Sequence, residues 1–204
     1  MKEEKHKYKE NSYIMIKENE IDMCLYPKTK FEEDLYINYR ISPIEAVIYG
    51  KIAGEKEYKP PVLDTDEKRM NFRRVVARGS DHAFVKGKKK ILLEENDTYS
   101  GLKSVFHSLR IGHFGLEYLK TGTITLDSQK ELWQEINKLV KDVQKERQKE
   151  DLHEIRHFIW DKITEKYKKA QKKLTRAMRV EAPKLETLET QRKQKKNKKQ
   201  KRHK

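Results

Sequence analysis

The chain has 204 residues, 35% of them hydrophobic and 40% charged, with a formal net charge of +15. It can therefore bury a modest core flanked by solvated helices, and a large core is excluded. Its single cysteine, Cys24, excludes an intramolecular disulfide and any cysteine-pair zinc ribbon or redox motif. No apolar run approaches the roughly 18 residues that span a bilayer, and no apolar region follows the charged start, so a protein without a membrane partner is expected, cytoplasmic or, in a eukaryotic cell, nuclear.

Residues 1–11 are charged and read as a frayed start. Ser12 to Ile16 and Glu20 to Tyr26 read as short strands around the polar turn Lys17-Glu18-Asn19, and Pro27 ends the second. Phe31, Leu35 and Tyr39 fall at helical spacing. Ser42 followed by Pro43 then predicts the cap and first residue of another helix running to Ile52. Pro60-Pro61 and the charged stretch to Lys68 read as a loop, and Met70 to Ala77 fits either helix or strand. Gly79-Ser80 and Gly87 predict that this middle part is irregular.

The clearest helix spans Thr98 to Lys120, with an apolar stripe of Tyr99, Leu102, Val105, Phe106, Leu109, Leu116 and Leu119, and with Gly122 as its C-cap. Asp127 or Ser128 caps the next, whose buried face would be Leu132, Ile136, Leu139 and Val143. A further helix carries Leu152, Ile155, Ile159, Ile163, Tyr167, Ala170 and Leu174 up to Pro183, and the two faces can close as an antiparallel pair. Between Arg192 and Lys204, nine of thirteen residues are Lys or Arg, which leaves only +6 for the other 191. Such a tail buries too little apolar surface to order itself.

Lys103, His107 and Arg110 stand at i, i+4 and i+7, so an ammonium, an imidazole and a guanidinium share one helix face, a surface suited to a polyphosphate or otherwise to solvent and Glu117. With Glu117, Leu119 and Thr121-Gly122 before Ile124, this segment resembles the helical signature of polymerase β superfamily nucleotidyltransferases. Upstream, Ile21-Asp22 through Tyr26 to Phe31 resembles that family's strand and following helix for the third catalytic carboxylate, and Ser42-Pro43-Ile44-Glu45 its next helix start. The resemblance implies that Asp22 is a catalytic magnesium ligand and that Lys103, His107 and Arg110 face the triphosphate of an incoming nucleotide.

In that family a Gly-Ser turn and a pair of aspartates precede the third acid, and the three acids hold two divalent ions. Here 21 residues precede Asp22 and none is glycine, while the Gly79-Ser80 turn comes after it. A lone carboxylate binds magnesium weakly. The expectation is a half-domain inactive alone, needing Mg2+ and a complementing N-terminal half, or else a relic or a scaffold reused for binding.

His153-Glu154-Ile155-Arg156-His157 matches HExxH, yet Arg156 sets a cation beside any zinc and no further histidine follows before His203, so a solvated helix face is the better reading. Lys166, Lys168, Lys169, Lys172, Lys173, Arg176 and Arg179 recur with no acid among them. With Lys195, Lys196, Lys198 and Lys199 of the tail they suit RNA or DNA phosphates, read without base specificity. The whole predicts an α+β fold: a nucleotidyltransferase-like half-domain at 12–126 that opens on the strand pair, a helical hairpin at 127–180 and a disordered basic tail at 181–204. The function expected is nucleotidyl transfer completed by a partner, or non-catalytic nucleic-acid binding through the C-terminal helix and tail.

Overall fold

The computed structural model describes residues 14–18, 21–52, 57–93, 98–125, 130–146 and 151–183, with side chains from Tyr26 onward except at 130–132, 139, 143, 144, 146 and 152. The chain divides into two compact units, Met1–Pro61 and Val62–Lys204. No helix among the described residues is long and apolar enough to cross a membrane.

In the first unit, β1 (Ile14–Glu18) pairs antiparallel with β2 (Ile21–Leu25), Ile14 opposite Leu25 and Lys17 opposite Asp22. Pro27 ends the ribbon and α1 (Lys28–Tyr36) starts at once, followed by α2 (Ile41–Ile48), whose first turn contains Ser42 and Pro43. Phe31, Leu35, Ile41 and Ile44 are buried. Asp34 is buried among them, and its carboxylate accepts from Lys30 Nζ and Arg40 Nε, each at 3.2 Å, and from the Asn38 amide at 2.9 Å. A buried carboxylate is stable only with such partners.

The second unit is built on α3 (Asp66–Leu92), α4 (Thr98–Thr121), α5 (Lys130–Glu146) and α6 (Leu152–Glu181). The Thr65 hydroxyl accepts from the Lys68 N–H at 3.2 Å, and Asp66 and Glu67 sit in the first turn where the helix dipole favours anions, so α3 begins inside the stretch that reads as a loop. It then runs unbroken for 27 residues through Gly79 and Gly87. The irregular middle is therefore corrected to a single helix.

The reason lies in packing. A Cβ on Gly87 would stand 2.9 Å from the Gly101 carbonyl oxygen and 2.7 Å from Val105 Cγ2, and one on Gly101 would meet the Gly87 oxygen at 3.0 Å; farther along, one on Gly115 would meet Val76 Cγ1 at 2.5 Å. These pairings run in opposite directions along the chain, so α3 and α4 are antiparallel with their backbones nearly touching. Glycine permits the contact because it lacks a side chain.

The α+β expectation falls with the irregular middle. The described residues are mainly helical, with six helices of up to 30 residues, and the only strands among them form one ribbon of two five-residue strands. So short a ribbon offers no sheet on which a helical layer could be built.

Ser80 of α3, Ser108 of α4 and Tyr167 of α6 meet in the core of the second unit. Ser108 Oγ donates to the Ser80 carbonyl at 2.6 Å; the Tyr167 hydroxyl, 2.7 Å from Ser108 Oγ, and the Ser80 hydroxyl, 3.0 Å away, can then donate to its lone pairs; and Gln171 Nε2 donates to Ser80 Oγ at 3.1 Å. This assignment uses each hydroxyl proton once. Around it Leu102, Val105, Leu109, Ile136, Val140, Ile159, Trp160 and Ile163 form the apolar core, into which Phe84 stacks on Tyr167 with ring centroids 3.9 Å apart. Ile136 and Val140 supply the α5 share of it; Leu132, Leu139 and Val143 lie outside the described side chains, as do the caps at Asp127 and Ser128. The polar contacts set α6 antiparallel to α3 and alongside α4, so α6 does more than close on α5 as an antiparallel pair.

Replacing Gly101 by alanine is expected to lower stability although alanine is the better helix former by about 1 kcal/mol, because overpacking against a backbone carbonyl costs on the order of 1–3 kcal/mol. Gly79→Ala, whose Cβ would meet nothing nearer than Ile111 Cγ2 at 3.7 Å, is expected to stabilise. Urea unfolding of both variants checks the pair; equal shifts of the two midpoints would refute the close helix contact.

Candidate nucleic-acid interface

The face predicted on α4 exists as a helix face, but its three residues differ in exposure. Lys103 is exposed, its Nζ 5.5 Å above the Tyr99 ring, while His107 and Arg110 are half-buried and the Arg110 guanidinium lies 5.3 Å from the Phe114 ring. Burial, reinforced by Arg110 and by Lys86 reaching from α3, holds the His107 imidazole below its usual range. The imidazole is then neutral at physiological pH, and the positive charge of this face is that of Lys103 and Arg110. Lys86 is a neighbour that sequence spacing on α4 alone does not reveal.

The residues that extend the α4 signature have a local structural use. Gly122 adopts φ +71°, a left-handed conformation that glycine takes without strain, and its N–H donates to the Tyr118 carbonyl at 2.9 Å. Thr121 Oγ1 donates to the Glu117 carbonyl at 2.9 Å, and the Glu117 carboxylate accepts from the Thr125 N–H at 3.1 Å and its hydroxyl at 2.7 Å. Ile124 is buried. Glu117, Thr121, Gly122 and Ile124 thus terminate α4 and fold the chain back on its last turn.

Asp22 lies in β2, opposite Lys17, and its side chain falls outside the described ones. Among the described residues no three His, Cys, Asp or Glu side chains gather as a metal site. The described side chains add no ligand set for magnesium to the role that the resemblance implies for Asp22. His153 and His157 are exposed on α6 with ring centroids 4.5 Å apart, while Arg156 between them is turned into the buried side of the helix.

A further run of positive charge lies on α6. Lys168, Lys172, Arg176 and Arg179, with Gln171, Thr175 and the edge of Tyr167, line a depression of about 470 Å³. No acid stands between Lys166 and Val180. Lys169 and Lys173 point elsewhere: Lys169 Nζ pairs with Glu165 at 2.8 Å, and Lys173 lies near enough to His113 of α4 to lower its pKa. Lys195, Lys196, Lys198 and Lys199 lie outside the described residues.

Helix α3 adds what the α6 sequence does not contain. Arg69 donates to the Leu119 carbonyl at 2.9 Å and, through Nε and Nη2, to the Glu181 carbonyl at 3.0 Å, and Arg73 donates to the Ala182 carbonyl. Two arginines thus hold the last carbonyls of α4 and α6, where the helix dipole favours cations. Partial burial lowers the Arg73 pKa, and the nearby Arg179 and Arg74 lower it further, so three guanidiniums crowd where α3 meets the end of α6. The i, i+4 repeat of Arg69 with Arg73 and of Arg74 with Arg78 was the available sequence signal, hidden while this segment read as irregular.

No protein-family model, curated protein or solved structure matches the chain. The likeness to the polymerase β superfamily rests on the two sequence motifs.

His107 and His113 make stability depend on pH. Both are held below the usual histidine value by burial first; Arg110 and Lys86 add to this at His107, and Lys173 adds to it at His113 against an opposing Glu117. Below the unfolded value of about 6.5 the unfolded chain binds more protons than the folded one, so stability is complete above that pH and declines as pH falls through it. Lowering the pH from about 7.5 to about 5.5 is expected to reduce the melting temperature, and to reduce it less in a His107→Gln, His113→Gln variant. Identical pH slopes for the variant and the parent in calorimetry would contradict the assignment.

Proposed function

We propose that this chain is a nucleic-acid-binding protein of the non-catalytic kind. Its contact surface is the cationic side of α6 joined by Arg73 and Arg74 of α3, and it grips the sugar-phosphate backbone of RNA or DNA rather than reading bases. The observation that carries this reading is the crowding of Lys168, Lys172, Arg176 and Arg179 along one depression, with Arg73 held beside Arg179 and Arg74. Like charges gathered at a surface raise one another's energy, and a polyanion relieves that repulsion while releasing its own counterions.

A basic helix can also lie on an anionic membrane, which requires an apolar face free to enter the lipid. The apolar side of α6, from Ile155 through Ile159, Ile163 and Tyr167 to Leu174 and Met178, is already buried. Nucleic acid needs only the cations.

Changing Lys168, Lys172, Arg176 and Arg179 together to glutamine in the full chain is expected to reduce the slope of log K against log salt by up to about 3.6, since each phosphate contact contributes roughly 0.9 for duplex DNA. Asp22→Asn is expected to leave binding unchanged. Fluorescence anisotropy across a salt series measures both; an unaltered slope in the fourfold variant would assign binding to the tail alone. Tighter capture by anionic vesicles than by nucleic acid would favour the membrane.

A further inference from the structure

The groups that α6 commits to its own fold point to a particular form of nucleic acid. Single strands are held by cations on their phosphates together with rings on which exposed bases stack, and that stacking is worth about 1–3 kcal/mol per base. From Asp161 to the end of the chain the only Phe, Trp or Tyr is Tyr167. Its ring is stacked on Phe84, its hydroxyl bonds to Ser108, and only 6% of the residue is exposed. The one amide lining the depression, Gln171, is likewise engaged through Nε2 with Ser80. What reaches outward is Lys168, Lys172, Thr175, Arg176 and Arg179, which donate to phosphate or sugar oxygens and include no aromatic ring on which a base could stack.

The spacing suits a regular phosphate track. Lys168 to Arg179 spans about 16 Å of rigid helix at about 1.5 Å per residue, the axial length of roughly five nucleotides of one strand. A duplex keeps its bases inside and presents one charge per about 1.7 Å of axis, so its backbone meets these cations at high charge density and needs no aromatic ring to hold it. From these observations we infer that the preferred ligand of the α6 surface is double-stranded nucleic acid, bound with little regard to sequence. This rests on the proposed nucleic-acid binding and narrows it.

A labelled duplex and each of its separated strands, equal in length and free of self-pairing, would be titrated against the full chain by anisotropy, with two duplexes of unrelated sequence compared in parallel. The duplex is expected to bind about tenfold more tightly than either strand, and the two duplexes alike, because the charge density met by the cations is greater. A Lys172→Gln, Arg176→Gln variant, altered only at exposed positions and checked for helix content by circular dichroism, is expected to lose most of that preference. Equal or tighter binding of a single strand overturns the duplex assignment and leaves the α6 phosphate surface standing. A strong difference between the two duplexes overturns it as well. Binding to neither form removes both this inference and the reading beneath it.

Discussion

The close approach of α3 and α4 at Gly87 and Gly101 is the contact on which the second unit depends. With no side chain between them, each glycine lets the other helix's backbone come to a distance at which a methyl group would collide with a carbonyl oxygen. The gain is dispersion contact along two long helices and close packing of Val105 and Ile91 at the crossing. Once the pair is fixed at this distance, Val76 fits against Gly115 and Ser80 comes opposite Ser108. The polar core contact depends on the glycine contact.

That contact in turn fixes α6. A buried hydroxyl pair satisfied only by each other would tolerate some sliding, but Tyr167 and Gln171 bond to the same two serines and define one axial position for α6. At the far end Arg69 and Arg73 seize the last carbonyls of α4 and α6, so the register is held twice, about nine residues apart on α3. Fixing the register also fixes which side of α6 faces water. Lys168, Lys172, Arg176 and Arg179 are outward because Tyr167, Leu174 and Met178 are inward. The cationic surface is a consequence of core packing, and its rigidity lowers the ordering cost of meeting a regular polyanion.

Helices α4 and α6 were legible from sequence because their buried lines are made of large apolar residues, such as Leu102, Val105 and Leu109 on one and Ile155, Ile159 and Ile163 on the other. Helix α3 was not. Its buried line includes Ser80, Ala83 and Gly87 alongside Met70, Phe72, Val76 and Ile91, so small and polar residues stand where a periodicity argument looks for bulk. They are correct there only because α4 brings Gly101 and Ser108 to meet them, a fact about the partner helix. The same blindness affected the interface. The α6 cations could be read from spacing, but Arg73 and Arg74 join them through the pairing of α3 with α6, and that pairing was invisible while α3 read as a broken segment. Lys86 beside His107 was missed for the same reason.

The α4 signature shows why spacing on one helix overstates a site. Lys103, His107 and Arg110 do share a face, but half-burial of the imidazole beside two cations favours its neutral form, and of the three only Lys103 is exposed. The glutamate, threonine and glycine that follow satisfy the end of the helix among themselves. The depression on α6 instead gathers Lys168, Lys172, Arg176 and Arg179 with no acid in its lining. The chain then continues from the C-terminal end of that helix into a segment with nine further cations and no acid from Arg192 onward. If α6 holds a polyanion as proposed, those charges would act on it at the local concentration that a covalent tether sets, and helix and tail would reinforce each other's hold.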